Sequence, residues 1–332
     1  MKITVILCTY NRCQSLVRAL ESVAASELKE TVAWEVLVID NNSKDQTREV
    51  VESFCQRYPG RFRYKVEARQ GKSFALNTGI REAKGAILAF MDDDVIVAPT
   101  WLHNLTAPLD SSEWAGAGGR IFAQKMFSVP EWLSLDGKYS LAGMLALFDL
   151  GERAEELKCP PYGTNMAFHK SVFEKYGGFR TDLGPAPGSE IRHEDTEFGN
   201  RLFAAGEHLW YEPSAVVYHA VPENRLTKRF FLRFWFDYGR AHIRENANRA
   251  DIWGLPRWCF SIPMILMIPL PIKTTMWLLQ REPKQRFFFK GAVWMMLGQI
   301  VELPRIWFEE KKRRNTALVQ SGKVEGPNVT PV

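Results

Sequence analysis

Short apolar runs alternate with helical patterns through the first hundred residues, and this alternation limits the fold more than any other feature of the sequence. Four of the runs have the length and the β-branched or aromatic content of buried strands: Ile3–Cys8, Val36–Ile39, Phe62–Val66 and Ala86–Met91. The segments between them carry apolar residues at helical spacing. The pattern predicts βαβ units, and therefore an α/β domain whose mostly parallel, Rossmann-like sheet is flanked by helices.

Polar residues follow three of these runs directly, at Thr9–Asn11, Asp40–Asn42 and Asp92–Asp94. In open α/β sheets, ligands bind in a crevice beyond the carboxyl ends of the strands. We therefore expect all three clusters to line one crevice.

The acidic run Asp92–Asp94 is the most informative motif. Three adjacent carboxylates repel one another, and a divalent cation with oxygen ligands relieves that repulsion. An ion that keeps open coordination positions can also hold a diphosphate. The alternative is an acidic turn on the surface, but the position after a buried strand favours a metal site.

Other residues near the strand ends have two interpretations each. Asp40 could accept hydrogen bonds from a nucleobase or a ribose, or it could cap a helix that starts near Ser43. Tyr10 could stack on a base or pack against the protein. Arg69 and Lys72, close to a predicted helix start, could steer an anionic ligand into the crevice.

The segment HEDTEF places Glu194 and Asp195 in the first turn of a helix predicted over Glu194–Ala205. Acidic residues there complement the helix dipole, and Asp195 could also take a proton from an incoming hydroxyl. His219 ends the apolar run AVVYH. A lone histidine there is usually structural, but a neutral imidazole would suit a metal held by one or two aspartates.

The middle third of the chain is less regular. Gly116–Ile121 and Pro161–His169 are predicted strands. Between that region and the HEDTEF helix lies a Gly- and Pro-rich loop, Thr181–Arg192. We expect this loop to form a flap beside the site and to carry the specificity for the acceptor.

Several classes of protein are excluded. No GxGxxG follows a predicted strand, and the GKS of residues 71–73 lacks the earlier glycine of a P-loop because residue 66 is valine. HEDTEF does not match the HExxH pattern of zinc proteases. The five cysteines form no CxxC pair, which argues against a disulfide framework or a structural zinc site and fits a reducing compartment. The aromatic residues of the basic part lie in apolar runs, which argues against a nucleic-acid partner.

Seven segments together resemble the family 2 glycosyltransferases of the bacterial type, which have the GT-A fold. The segments are ILCTYNR, VIDNNSKD, GKSFALNTGI, FMDDDV, GTNMAF, HEDTEF and VYH, and they extend from about residue 2 to residue 220. One segment alone is a weak match, but seven in this order are specific. The resemblance implies inverting transfer from a nucleotide-diphospho-sugar, most commonly UDP-linked, with Mn²⁺ or Mg²⁺ as the cofactor.

The resemblance also implies a role for each matched residue. Asp195 would be the catalytic base, and the metal would be bound by Asp94 and His219 with Asp92. The nucleotide-sugar would be contacted by Thr9, Tyr10, Arg12, Asp40, Arg69, Lys72, Asp92 and Asp93. The sugar and acceptor side would be lined by Gly163, Thr164, Asn165 and Glu194.

The chemistry of inversion is consistent with this set. Direct displacement needs one general base opposite the leaving group and no protein nucleophile. A divalent ion stabilises the charge that develops on a departing nucleoside diphosphate. Two alternatives stay open: a sugar nucleotidyltransferase, which would attack phosphorus, and a degenerate transferase that only binds at the membrane.

The composition changes after Ala220. The residues beyond it contain 19 Lys and Arg against 9 Asp and Glu, whereas those up to it contain 24 against 29. Two apolar segments, Trp258–Ile272 and Phe287–Ile300, lie in this basic part, and the first contains three prolines. It reaches the roughly 20 residues of a spanning helix only if Lys273 is included. We expect interfacial helices on an anionic leaflet, with a spanning hairpin or packing on the catalytic domain as alternatives.

These observations divide the chain into three parts. We expect a catalytic domain at residues 1–220, a basic and aromatic membrane-associating extension at 221–314, and a disordered tail at 315–332. The amino terminus lacks the apolar length and cleavage site of a signal peptide, so the expected location is the cytoplasmic face of the inner membrane. Expected partners are the nucleotide-sugar, a glycan or lipid-linked acceptor and the membrane surface. The oligomeric state stays open, with a homo-oligomer among the alternatives.

Overall fold

A computed structural model describes residues 2–187, 189, 191–246, 251–252 and 255–320. The chain divides into two compact units, with the boundary between Phe230 and Phe231. We call them the N-terminal unit and the C-terminal unit. The domain boundary predicted at residue 220 therefore falls inside the N-terminal unit, shortly before its end.

The N-terminal unit contains one mixed sheet flanked by helices. Its strands are β1 Ile3–Thr9, β2 Trp34–Asp40, β3 Phe62–Val66, β4 Ile87–Asp92, β5 Val95–Val97, β6 Gly116–Ala123, β7 Glu155–Glu156, β8 Met166–His169 and β9 Leu209–His219. Its helices are α1 Cys13–Ala24, α2 Thr47–Arg57, α3 Lys72–Glu82, α4 Trp101–Thr106, α5 Lys170–Tyr176 and α6 Glu194–Ala204.

The sheet has the order β3-β2-β1-β4-β8-β6-β9-β5, with β7 added beside β9. The first four strands in this order are parallel, as the βαβ pattern predicts. Beyond β4 the sheet is mixed, because β8 runs antiparallel to both β4 and β6 while β9 is parallel to β6. The predicted α/β fold class is confirmed, and the departure from a parallel sheet is confined to the half that β8 begins.

Two predicted strands have different limits in the structure. The segment Pro161–His169 is a strand only from Met166, because Asn165 N–H donates to Tyr162 O in a turn at 2.9 Å. The apolar run that ends at His219 is the last part of a longer strand, β9. In the sequence, Glu212–Ser214 interrupt the apolar pattern of the first half of β9. A shift of register against β6 accommodates the extra residues.

The pairing register brings the predicted polar clusters together. Thr9 of β1 pairs with Asp40 of β2, and Cys8 pairs with Asp92 of β4. The three strands therefore end at the same edge, as expected for parallel neighbours. On the other side, Val95 of β5 pairs with His219, which carries that histidine to the turn after β4.

The core of the N-terminal unit lies between the sheet and its helices. All seven residues of β2 are buried, and β1 and β4 are almost as completely covered. In α1 the apolar residues recur on one face, so Leu16, Leu20 and Val23 are all buried against the sheet. Each buried aliphatic side chain of this kind contributes about 1.5–3 kcal/mol to folding. The strand ends that form the crevice are thus held by a rigid scaffold.

The C-terminal part of the chain is mainly helical. Its elements are α7 Lys228–Glu245, α8 Trp258–Met267, α9 Pro269–Leu279 and α10 Pro283–Gln320, with a two-residue ladder of β10 Asp251–Ile252 and β11 Leu255–Pro256. The predicted disordered tail is wrong for residues 315–320, which continue α10. The rest of that tail, residues 321–332, lies outside the described residues.

One helical segment among the described residues, Trp258–Leu279, is long and apolar enough to cross a membrane. It comprises α8 and α9, which meet at Ile268 just before Pro269. Large apolar side chains are exposed along it, namely Phe260, Met264, Leu266, Met267, Ile268, Ile272, Met276, Leu278 and Leu279. Its core contact is small, with Ile265 buried beside Met296 and Leu303 of α10.

A buried carboxylate ties α7 to α10 within the C-terminal unit. Glu302 is fully buried and accepts hydrogen bonds from Arg240 Nε at 2.8 Å and from Arg244 Nε at 2.5 Å. Asp237 binds Arg240 from the other side at 3.0 Å. Such a network holds its helices in register only while every charge has a partner.

We expect Glu302→Gln to lower the free energy of unfolding by about 3 kcal/mol, because two mostly buried guanidinium groups lose their shared carboxylate. Chemical denaturation in mild detergent measures the change. Glu309→Gln is the matched control, since Glu309 is half-exposed and contacts only the rim of the same network through Arg244. Equal stability of the two variants would show that the network does not stabilise this unit.

Candidate active site

The turn after β4 is the centre of the candidate site. Asp92 ends β4, while Asp93 and Asp94 form the turn into β5. Because β5 pairs with β9, the His219 imidazole lies beside this turn, with its Nε2 3.6 Å from Asp94 Oδ1. Burial lowers the pKa of His219, so its imidazole is neutral near pH 7 and able to bind a metal.

Two arginines approach the same turn. Arg12 Nη1 bridges Asp93 Oδ1 at 3.0 Å and Asp94 Oδ2 at 2.9 Å. Arg225 Nη2 lies 3.8 Å from Asp94 Oδ2, and its Nη1 lies 3.4 Å from His219 Nε2. Sequence reasoning missed Arg225, because it is distant in sequence from the aspartates and only the β5–β9 pairing brings it to them.

Asp93 points into the protein. It is 7% exposed and accepts a hydrogen bond from Thr9 Oγ at 2.7 Å. Burial, assisted by the neighbouring Asp94 charge, raises the pKa of Asp93 to about 6 despite the opposing effect of Arg12. Thr9, a predicted contact of the nucleotide-sugar, therefore orients the acidic turn in this structure.

Lys72 joins the acidic turn to the HEDTEF helix. Its Nζ lies 2.8 Å from Asp92 Oδ1 and 3.5 Å from Glu194 Oε1. Burial would raise the pKa of Asp92, but Lys72 and the Thr164 hydroxyl, which donates to Asp92 Oδ2 at 2.8 Å, hold it well below its usual range. Burial raises the pKa of Glu194, and the charge of Lys72 offsets only part of that rise. Asp92 is therefore charged at neutral pH.

The predicted base, Asp195, lies in the first turn of α6 and is half-buried. Its Oδ2 accepts a hydrogen bond from Gly163 N–H at 2.7 Å, and its Oδ1 accepts one from Thr196 N–H at 2.7 Å. A methyl group built on Gly163 would lie 3.3 Å from Asp195 Oδ2 and 3.7 Å from Lys72 Nζ. Asp195 and the cluster around Asp92 thus border the same small space.

The two interpretations of Asp40 can be compared with its contacts. Asp40 Oδ1 accepts a hydrogen bond from Ser43 N–H at 2.8 Å, and Oδ2 accepts one from Tyr64 O–H at 2.6 Å. It therefore closes the turn after β2, although α2 itself begins only at Thr47. Burial, followed by the bond to Asp40, raises the pKa of Tyr64. Tyr10 is 43% exposed, so one of its faces is open for stacking.

The loop that leads into α3 is held by Asn41, from the predicted cluster Asp40–Asn42, and by Glu67, which sequence reasoning missed. Asn41 Nδ2 donates to the carbonyl oxygens of Glu67 and Arg69, and its Oδ1 accepts from Gly71 N–H at 2.7 Å. Glu67 binds the Arg69 guanidinium through both oxygens and accepts a hydrogen bond from Thr78. Arg69, a predicted contact of the nucleotide-sugar, is mostly exposed, and its guanidinium is held by Glu67.

Asn165, which is expected on the sugar side, is hydrogen-bonded within the fold. It is buried, and its Oδ1 accepts a hydrogen bond from Trp101 Nε1 at 2.8 Å. Its Nδ2 donates to the carbonyl oxygens of Arg120 and Ala215. These bonds hold Asn165 against the fold, and its contact with a sugar stays a prediction.

The described part of the Thr181–Arg192 loop is attached to α3. Ser73 Oγ donates to Leu183 O at 2.7 Å, and Lys72 N–H donates to Pro185 O at 2.9 Å. Gly188 and Glu190 of the expected flap lie outside the described residues. The described loop therefore links the helix that carries Lys72 to the segment that precedes Glu194.

The residues present fit one divalent ion. Among the residues that the structure describes, no group of three or more His, Cys, Asp or Glu side chains could hold a metal. Asp94 Oδ1 and His219 Nε2 are 3.6 Å apart, and adjacent ligands of an octahedral ion at about 2.1 Å are about 3.0 Å apart, so a small approach of the two side chains would place both on one ion. Two protein ligands leave positions for water and for phosphate oxygens, which is typical of ions that bind a nucleotide.

We expect Glu67→Gln to lower the free energy of unfolding by about 1–2 kcal/mol at pH 7, since Arg69 and Thr78 lose a charged acceptor. The folded-state pKa of Glu67 is about 2, below the usual 4.5. The stabilisation is therefore complete above pH 4.5 and disappears as the pH falls towards 2. Urea denaturation at pH 7 and pH 4 measures this, with the exposed Glu49→Gln as control; a difference that grows at pH 4 would contradict it.

Comparisons with known proteins agree with this geometry. The family model described as "Glycosyl transferase family 2" matches residues 4–177, more than half of the chain. The succinoglycan biosynthesis protein ExoM of Rhizobium meliloti strain 1021 is 28% identical over 245 residues, which cover 74% of this chain and 75% of ExoM. The glycosyltransferase AglE of Haloferax volcanii is 26% identical over 256 residues, which cover 77% and 75% of the two chains.

A solved structure has the same fold. The mannosyltransferase PcManGT from Pyrobaculum calidifontis, in complex with GDP-Man and Mn²⁺, superposes with a TM-score of 0.56 at 19% identity. The superposition covers 88% of this chain and 86% of the mannosyltransferase. The α/β sheet with flanking helices is thus a GT-A fold, as the resemblance implied. The chain belongs to glycosyl transferase family 2 and is a glycosyltransferase.

Proposed function

We propose that this glycosyltransferase moves a sugar from a nucleoside-diphosphate donor to a hydroxyl of an acceptor, with inversion at the anomeric carbon. The observation that carries the proposal is one crevice with two kinds of carboxylate. Asp94 faces the neutral imidazole of His219, whereas Asp195 lies apart from them, across Lys72 and Gly163. Inversion needs this separation, because the leaving group and the base act on opposite sides of the sugar.

The donor side of the proposal concerns Asp94, His219 and the cations near them. Asp94 and His219 would hold Mn²⁺ or Mg²⁺, which when bound would act as a Lewis acid towards the diphosphate. Arg12 and Arg225 would add hydrogen-bond donors for phosphate oxygens. The structurally similar mannosyltransferase was solved with GDP-Man and Mn²⁺, which supports a donor and an ion of this class.

The acceptor side depends on Asp195. Its Oδ2 receives only the Gly163 N–H, which orients the carboxylate and leaves lone pairs for an acceptor hydroxyl. Glu194 is buried beside Lys72, so it contributes to charge balance rather than to proton transfer. Tyr10, with its exposed face, would stack on the nucleobase, and Asp40 would fix the turn below it.

We also propose that the C-terminal unit binds the cytoplasmic face of the membrane and that the acceptor is a glycan or lipid-linked glycan. The α8–α9 segment exposes its apolar side chains, and α9 and α10 are joined by a short basic turn near Arg281 and Lys284. Positive charges at the turn oppose its transfer across a bilayer, which favours interfacial helices over a spanning hairpin. ExoM, named for succinoglycan biosynthesis, supports a polysaccharide product.

The direct test is turnover with a panel of UDP- and GDP-sugars, Mn²⁺ and a lipid-linked glycan acceptor. Release of a nucleoside diphosphate together with a product of inverted anomeric configuration is expected. Release of pyrophosphate would instead identify a sugar nucleotidyltransferase. Absence of nucleotide-sugar binding by calorimetry would support the degenerate binding module.

We expect Asp195→Asn to lower kcat by about 10²-fold or more, since the amide cannot accept the acceptor's proton. The donor Kd is expected to stay within about twofold of the wild-type value, because the donor side of the crevice is unchanged. Asp110→Asn, at an exposed ion pair with Lys2, is the control. Unchanged turnover in Asp195→Asn would remove this residue as the base.

We expect the triple variant Met264→Ser, Met267→Ser, Leu279→Ser to bind anionic vesicles at least about tenfold more weakly, because three exposed apolar side chains no longer enter the bilayer surface. Flotation with phosphatidylglycerol vesicles measures the bound fraction. Met126→Ser is the control, as Met126 is a fully exposed methionine that lies in the N-terminal unit. Equal flotation of the triple variant and wild type would reject the proposed surface.

A further inference from the structure

A single guanidinium nitrogen bridges two aspartates of the acidic turn. Arg12 Nη1 lies 3.0 Å from Asp93 Oδ1 and 2.9 Å from Asp94 Oδ2. The Arg12 side chain is 47% exposed, whereas those of Asp93 and Asp94 are 7% and 15% exposed. Arg12 therefore covers the aspartates from the solvent side and has the bridging position of a bound cation.

The backbone that carries Arg12 is anchored. Asn11 has a left-handed backbone (φ 52°), and its Oδ1 accepts a hydrogen bond from Lys44 N–H at 2.7 Å. Cys13 N–H donates to Asp45 Oδ2 at 2.9 Å. Because both neighbours are fixed to the turn after β2, Arg12 can leave the aspartates only by rotation of its own side chain, which exposure on the solvent side permits.

A divalent ion at Asp94 and His219 would compete with this arrangement. Arg12 and Arg225 already approach Asp94 Oδ2 at 2.9 Å and 3.8 Å. An added dication on the same carboxylate repels both guanidinium groups, at a distance where the repulsion is strong in a partly buried site. An anion between the ion and the arginines would remove the repulsion, and the diphosphate of the donor is such an anion.

We propose that Arg12 is an internal counter-ion that leaves Asp94 when a divalent ion binds, and that the released guanidinium then binds the diphosphate. This inference rests on the proposed function, which supplies the ion and the nucleotide. Two consequences follow. Arg12 weakens metal binding to the free protein, and it makes the binding of metal and nucleotide mutually dependent, by the same factor in both directions.

The test measures Mn²⁺ binding by calorimetry or electron paramagnetic resonance, with and without a saturating nucleoside diphosphate. Without nucleotide, Arg12→Gln is expected to bind Mn²⁺ about three- to fivefold more tightly than wild type, the scale of a half-exposed ion pair. With nucleotide, the gain in Mn²⁺ affinity is expected to be smaller in Arg12→Gln than in wild type. Arg12→Met, neutral and unbranched, repeats the measurement should Arg12→Gln fold poorly.

Two control variants distinguish displacement of Arg12 from the electrostatic effect that other cations have on Mn²⁺ binding. Arg225→Gln removes a cation 3.8 Å from the same oxygen and 3.4 Å from His219 Nε2, and it measures how Mn²⁺ affinity changes when a guanidinium that does not bridge the aspartates is lost. Arg57→Gln, at an exposed ion pair with Glu21, is expected to change nothing. Unaltered Mn²⁺ affinity in Arg12→Gln, or a change in Arg57→Gln as large as that in Arg12→Gln, would overturn the inference. If wild type binds no nucleoside diphosphate, the proposed function itself fails.

Discussion

Repulsion among the carboxylates at the end of β4 is the constraint on which the site depends. Asp92, Asp93 and Asp94 are held close together at a sparsely solvated strand end, where the like charges raise one another's energy. Cationic side chains from separate elements offset this repulsion, namely Lys72 of α3 and Arg12, which directly precedes α1. Each carboxylate therefore already contacts a cationic side chain, so the turn is stable while its aspartates remain ionised.

The sheet determines which residues can take part. Parallel pairing of β1, β2 and β4 ends these strands together, and antiparallel pairing of β5 with β9 brings His219 of β9 to the same turn. The mixed half of the sheet therefore contributes directly to the site. It supplies the imidazole and, through the segment after β9, the Arg225 guanidinium that a purely parallel sheet would not bring there.

Local pattern predicted the strands, the acidic turn and the HEDTEF helix, because each depends on residues close in sequence. Asn41 and Arg225 contact residues far from them in sequence, so the local pattern gave no sign of these contacts. Glu67 was missed although its partner Arg69 is only two residues away. Asn165 belongs to a matched motif, but nothing in the local pattern indicates that its side chain also supports Trp101 in the core. The helical part of the expected tail was missed because its polar composition resembles that of a disordered segment.

The most direct measurement is anomalous diffraction from crystals of the protein grown with Mn²⁺ and a nucleoside diphosphate. The account predicts one manganese peak within about 2.2 Å of Asp94 and His219 Nε2, with phosphate oxygens completing the coordination and the Arg12 side chain turned onto the diphosphate. A crevice without a manganese peak, or a peak elsewhere with Arg12 still bridging Asp93 and Asp94, would contradict it.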